Sequence, residues 1–145
     1  MKPAAVAPRA QILIIEDNSS DVFLLKRALG QQNVPFELTH LANGDQALAF
    51  IHREGTYADM PIPDLILVDL NLSRYNGEDI LRKIHNAKHL AGAMVCVWSS
   101  SESRRDRARI TDLGVAQFVT KPAGLDQFLE IGKLIKDLLA GHTTA

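Results

Sequence analysis

The stretch ILIIEDN, residues 12–18, runs four branched apolar residues straight into two adjacent carboxylates, Glu16 and Asp17. Short, nearly continuous apolar runs are the mark of strands covered on both faces, as in a parallel sheet between two layers of helices. Two further runs repeat the pattern, DLILVDL at 64–70 and AMVCVW at 93–98. FELTHLA (36–42) is more mixed and reads as an outer strand, and QFVTKP (117–122) as a fifth strand stopped by Pro122. Helical periodicity fills the intervals. Val22, Leu25 and Leu29 share a face of the first helix, with Ser20 as its expected N-cap and Gly30 near its end. Asp45–Arg53, Glu78–Ala87, Arg104–Leu113 and Leu125–Leu139 read as the next four. Five strands each followed by a helix, joined by right-handed crossovers, predict a doubly wound α/β fold: a five-stranded parallel sheet with helices on both faces.

Composition agrees with one domain over residues 10–140, between flexible tails at 1–9 and 141–145. The chain has 145 residues, 46% hydrophobic and 23% charged, an ordinary globular balance. A net charge of -1 and a pI near 6.5 provide no global positive field for nucleic acid or anionic lipid. The single cysteine, Cys96, lies inside an apolar run, as a buried small hydrophobe does. No signal-peptide core and no run near the ~18 apolar residues of a membrane span is present, so a cytoplasmic protein is expected.

In an open parallel α/β sheet, ligands bind beyond the carboxyl ends of the strands. Glu16 and Asp17 end the first strand, Asp69 the third, Ser99 the fourth and Lys121 the fifth. Three carboxylates brought together repel unless they are protonated or neutralised, and a hard divalent cation with oxygen ligands is the simplest neutraliser. A Mg²⁺ site is therefore predicted. A lysine and a hydroxyl beside it would form a cradle for a tetrahedral oxyanion such as a phosphoryl group.

These residues carry a family resemblance. The acidic pair of IIEDN, the aspartate of LVDLNL, the hydroxyl of VWSSS and the Lys-Pro of VTKP resemble, in order and spacing, the receiver domain of two-component response regulators, whose fold is flavodoxin-like. Asp69 to Ser99 is 30 positions and Ser99 to Lys121 is 22. The resemblance covers about residues 11–139. It implies that Asp69 is the phosphoacceptor for a partner histidine kinase. It further implies that Glu16, Asp17 and Asp69 hold Mg²⁺ with the backbone carbonyl of Asn71, and that Lys121 and Ser99 contact the phosphoryl oxygens. Ser99 is favoured over Ser100 and Ser101 by its place at the strand end. Ser99 and Phe118 are the implied switch pair, and Pro122 resembles the family's cis-bonded proline. The function so implied is a phosphorylation-controlled binding switch, not a metabolic enzyme, with a phosphorelay intermediate or a phosphate sink for a shared kinase as the alternative. The longer loop REGTYADMPIPD, LNL after the aspartate and no attached output domain resemble the small stand-alone regulators paired with bacterial phytochrome-type kinases.

Other readings fit the residues less well. Haloacid-dehalogenase-type phosphatases carry their nucleophile in a DxD motif on the first sheet strand, whereas Asn71 stands two after Asp69. A constitutive docking pseudo-receiver would not need Glu16, Asp17, Asp69, Ser99 and Lys121 together. SRRDRAR (103–109) reads as a solvated helix face, its arginines facing Asp126 or Glu130, with a homodimer or kinase contact through the helix 4 to helix 5 face as the alternative. His40, His52, His85, His89 and His142 show no ligand spacing and are expected away from the pocket. Ser73, where the family usually has proline, Asn76, where aspartate is common, and the large Trp98 depart from the pattern.

Overall fold

The computed structural model describes residues 9–72, 74–99, 104–122 and 124–141, the side chains of 104–106 excepted. Ser73, Ser100, Ser101, His142, most of both expected tails and the side chains of Arg104 and Arg105 lie outside it. Five strands, β1 (Ala10–Ile15), β2 (Phe36–Leu41), β3 (Leu65–Asp69), β4 (Met94–Ser99) and β5 (Val115–Thr120), form one parallel sheet in the order β2-β1-β3-β4-β5. The helices α1 (Ser19–Gln31), α2 (Gly44–Ile51), α3 (Gly77–Asn86), α4 (Arg104–Ile110) and α5 (Leu125–Gly141) alternate with the strands. The mixed strand β2 is at an edge, as its composition predicts. No helix among the described residues is long and apolar enough to cross a membrane.

The apolar runs are continuous because successive residues serve opposite layers. Ile12, Ile14, Leu65, Leu67, Cys96 and Trp98 pack with Val22, Leu25 and Leu29 of α1 and Phe128, Ile131 and Ile135 of α5. Leu13, Ile15, Ile66, Val68, Val95 and Val97 pack with Ala47 and Phe50 of α2 and Ile80, Leu81 and Ile84 of α3. This is the period-2 alternation of a strand with apolar partners on both sides. Cys96 is fully buried, and burial pushes its thiol up to about 11, which leaves it a packing residue. A Cβ on Gly132 would come within 2.6 Å of the Ala28 carbonyl oxygen, so glycine lets α5 close onto α1.

Local details differ from expectation. The N-cap of α1 is Asn18, not Ser20: its extended backbone lets the side-chain oxygen accept from the Ser20 and Asp21 amides, starting the helix two residues earlier. Arg53 adopts a left-handed φ of 56°, which stops α2 at Ile51. The last turn expected of helix 4 is a 3-10 turn, Thr111–Leu113, and α5 continues to Gly141. No peptide bond among the described residues is cis, so the bond before Pro122 is trans, the intrinsically favoured isomer.

Candidate functional site

The carboxyl ends of β1, β3 and β5 bring four charged side chains together. Glu16 and Asp17 follow the last residue of β1, and Asp69 closes β3. Carboxylate oxygens of these three lie within 4.8 Å of one another. From the end of β5, the Lys121 Nζ donates to Glu16 Oε1 at 2.7 Å and to Asp69 Oδ2 at 3.1 Å, and stands 3.2 Å from Asp21 Oδ2. Glu16 is fully buried, Asp69 is 2% exposed, and Asp17 opens to solvent. The backbone amide of Lys121 donates to the Ser99 carbonyl at 2.7 Å, which ties the ends of β4 and β5 together.

Asn71 joins this group to Ser99. Its backbone amide donates to Asp69 Oδ1 at 2.8 Å, and its side-chain amide donates to the buried Ser99 hydroxyl at 3.2 Å. The loop after Asp69 is held close because Gly77 begins α3: a Cβ there would meet the Asp69 carbonyl oxygen at 2.6 Å. Asn76 caps α3 through the Glu78 amide at 2.9 Å, the use this chain makes of asparagine there. Phe118 lies apart from the carboxylates, partly buried over the α2/α3 layer, with the Arg107 guanidinium 4.5 Å from its ring centroid.

Arg109 of α4 does not face α5 as expected. Arg109 pairs with Glu78 of α3 at 2.5 Å, because the turn of α4 that carries it points across the cleft beside the loop after Asp69. That cleft, about 200 Å³, is lined by Leu70, Asn71, Asn76, Glu78, Arg109 and Ile110. His40 is a second correction: its Nε2 is 2.6 Å from the Glu16 backbone oxygen, at the edge of the site rather than away from it. Asp21 was not legible as a site residue either. Its signal is the helix periodicity that turns the first turn of α1 back over the end of β1.

Burial, and next the neighbouring Asp69, push the Glu16 carboxyl up to about 8, against the pull of Lys121. Burial opposes the charge on Lys121, but its bond to Glu16 and the charge of Asp69 outweigh that, and its net shift is upward. Glu16 Oε2 is buried with no hydrogen-bond partner among the described residues. A buried acceptor facing two more carboxylates, with one lysine for three acids among the described residues, fits a hard divalent cation. The metal-free protein therefore carries a proton on Glu16 that the unfolded chain releases. That contribution to stability is whole below 4.5 and is lost as pH rises toward about 8. In chelator, the unfolding midpoint is expected to fall through this window in the wild type and to stay flatter in Glu16→Gln. Mg²⁺ affinity is expected to rise over the same window, since the cation displaces the proton; calorimetry in buffers of different ionisation enthalpy measures the release.

The model of the response regulator receiver domain matches residues 12–133. The chain belongs to the response regulator receiver family. Among curated relatives, response regulator Rcp1 of Synechocystis sp. is 32% identical over 124 residues, 86% of this chain and 84% of that protein. The phosphorylated cyanobacterial phytochrome response regulator RcpA is a solved structure of TM-score 0.85 and 35% identity, covering 94% of this chain and 98% of that one. The Mn²⁺-bound form of response regulator Rcp1 superposes with a TM-score of 0.81 at 30% identity, over 95% and 97% of the two chains. The receiver is thus similar to phytochrome response regulators across nearly its whole length, and its fold is the flavodoxin-like one expected. Receiver domains act in two-component signalling with histidine kinases, and this one carries an acidic cluster where a divalent cation fits.

Proposed function

We propose that this receiver accepts a phosphoryl group on Asp69 from a phosphohistidine of a histidine kinase, and that the modified state presents an altered protein-binding surface. The observation that carries the reading is the Asp69 carboxylate itself: buried at a strand end, 3.1 Å from the Lys121 ammonium and beside two further carboxylates. An Asp69 oxygen forms the new bond to phosphorus while the bond from phosphorus to the imidazole nitrogen breaks, the electron pair staying on nitrogen. Lys121, already within reach of Asp69, pairs with a phosphoryl oxygen, and the Ser99 hydroxyl donates to another. Glu16, Asp17 and Asp69, with the Asn71 backbone carbonyl, would hold Mg²⁺. When bound, the cation offsets the negative charge of the acceptor and the incoming phosphoryl oxygens.

The Ser99 hydroxyl, which accepts from the Asn71 side chain, leaves that donor when it moves to donate to the phosphoryl group, and Phe118, two positions before the end of β5, responds by changing its packing under Arg107. Such a change biases two packings of one surface, which a partner distinguishes. The likeness to RcpA, a phytochrome response regulator, favours a phytochrome-type kinase as the donor.

The test is intact mass after incubation with acetyl phosphate or a phosphorylated histidine kinase. One phosphoryl mass gained only with Mg²⁺ supports the reading. No gain from either donor overturns it.

A further inference from the structure

β1 and β2 pair in parallel as far as Ile15 and Leu41, and the ladder takes one more rung, from the Glu16 amide to the Leu41 carbonyl at 3.0 Å. In a continued parallel ladder the Glu16 carbonyl would next accept from the amide of residue 43. The chain does not supply that donor. β2 ends at Leu41, the Ala42 amide donates to the Gln46 side chain at 2.6 Å, and Asn43 turns away as the N-cap of α2. The His40 ring takes its place, with Nε2 at 2.6 Å from the Glu16 carbonyl oxygen. A carbonyl only accepts, so Nε2 carries the hydrogen, in the neutral ring as in the charged one.

We propose that His40 is a positioning residue for the metal-binding pair, a role that rests on the cation site of the preceding section. The peptide bond between Glu16 and Asp17 is trans and planar, so its carbonyl and its N–H point to opposite sides. Fixing the carbonyl toward β2 aims the Asp17 N–H toward β3, the strand that ends in Asp69. The plane of that one peptide sets where both neighbouring side chains leave the backbone. Glu16 has its own anchors in Lys121 and the Asn18 amide. Asp17, exposed to solvent, leaves the backbone immediately after the carbonyl that His40 holds, so the plane of this peptide sets its starting direction. His40 acts through this peptide and touches neither the phosphoryl group nor the cation.

Binding of Mg²⁺ alone reads this directly. Trp98 is the only tryptophan, its ring centroid 6.0 Å from the Lys121 Nζ, so its fluorescence reports on the site, and calorimetry gives an independent affinity. His40→Leu keeps the bulk and loses the donor, and is expected to bind Mg²⁺ about fivefold more weakly, because the pair must then be ordered on binding. His40→Gln places an amide donor near the position of Nε2 and is expected to recover most of the affinity, which a role in packing alone would not produce. Equal affinity in wild type and His40→Leu, or no recovery in His40→Gln, overturns the positioning role while leaving the cation site standing. A wild type that binds no Mg²⁺ overturns both.

Discussion

Asp69→Asn is expected to gain no phosphoryl mass from acetyl phosphate or from a phosphorylated kinase under conditions in which the wild type is modified. The substitution changes two things at once. It replaces the nucleophilic carboxylate by an amide, which does not form an acyl phosphate. It also removes an acceptor: Asp69 Oδ1 accepts from the Asn71 amide and Oδ2 from Lys121, and a carboxamide offers one oxygen for those two donors. The loop after β3 or the lysine must therefore give up its contact. The folded state does not suffer in proportion. Asp69 is among the groups that hold the Glu16 carboxyl high, so its loss relieves repulsion in the metal-free protein. The unfolding midpoint in chelator is expected to equal or exceed that of the wild type, while Mg²⁺ binding is expected to weaken, since one carboxylate of the proposed cation site is lost. Intact mass, a thermal melt in chelator and a Mg²⁺ titration separate these effects. A phosphoryl group gained by the variant would place the acceptor elsewhere.

The strands were legible because the sheet is covered on both faces: each run from Ile12, Leu65 and Met94 stays apolar as alternate residues enter opposite layers. The polar residues that interrupt those runs were legible for the same reason, since a strand-end Asp69 or Ser99 buried against apolar neighbours needs a purpose. Contacts made by backbone atoms were not. His40 touches a carbonyl that every residue carries, 24 positions away, so no side-chain pattern announces it. Asn18 and Ser20 are both good caps, and the choice between them depends on where β1 releases the chain. Arg109 meets Glu78 of α3 rather than an acid of α5 because of the phase of α4, and a one-residue rotation of a helix moves a side chain by about 100°. The sequence places the arginines on a helix but not the helix over its neighbours.

Lys121→Met separates the two uses of charge at this site. Methionine keeps an apolar stem beside Trp98 and removes the ammonium shared by Glu16, Asp69 and Asp21. Phosphoryl transfer is expected to slow by about a hundredfold, the usual loss when one donor to a developing oxyanion is deleted. Mg²⁺ affinity is expected to move the other way. In the metal-free protein the lysine competes for the oxygens that a cation uses, with Glu16 Oε1 at 2.7 Å from Nζ, and without it a cation meets less competition for them. Stability in chelator at neutral pH should fall, but by less than the roughly 3–5 kcal/mol of a broken buried pair. Glu16, with its carboxyl already raised to about 8, holds its proton at neutral pH and is not left as an unpaired charge. The increase in unfolding midpoint on adding Mg²⁺ is then larger in the variant than in the wild type. A variant phosphorylated at the wild-type rate would remove Lys121 from phosphoryl stabilisation. A variant that binds Mg²⁺ more weakly would mean that the lysine organises the acidic cluster rather than competing for it. The opposed signs of rate and affinity distinguish a cation that serves the transferred group from one that serves the fold.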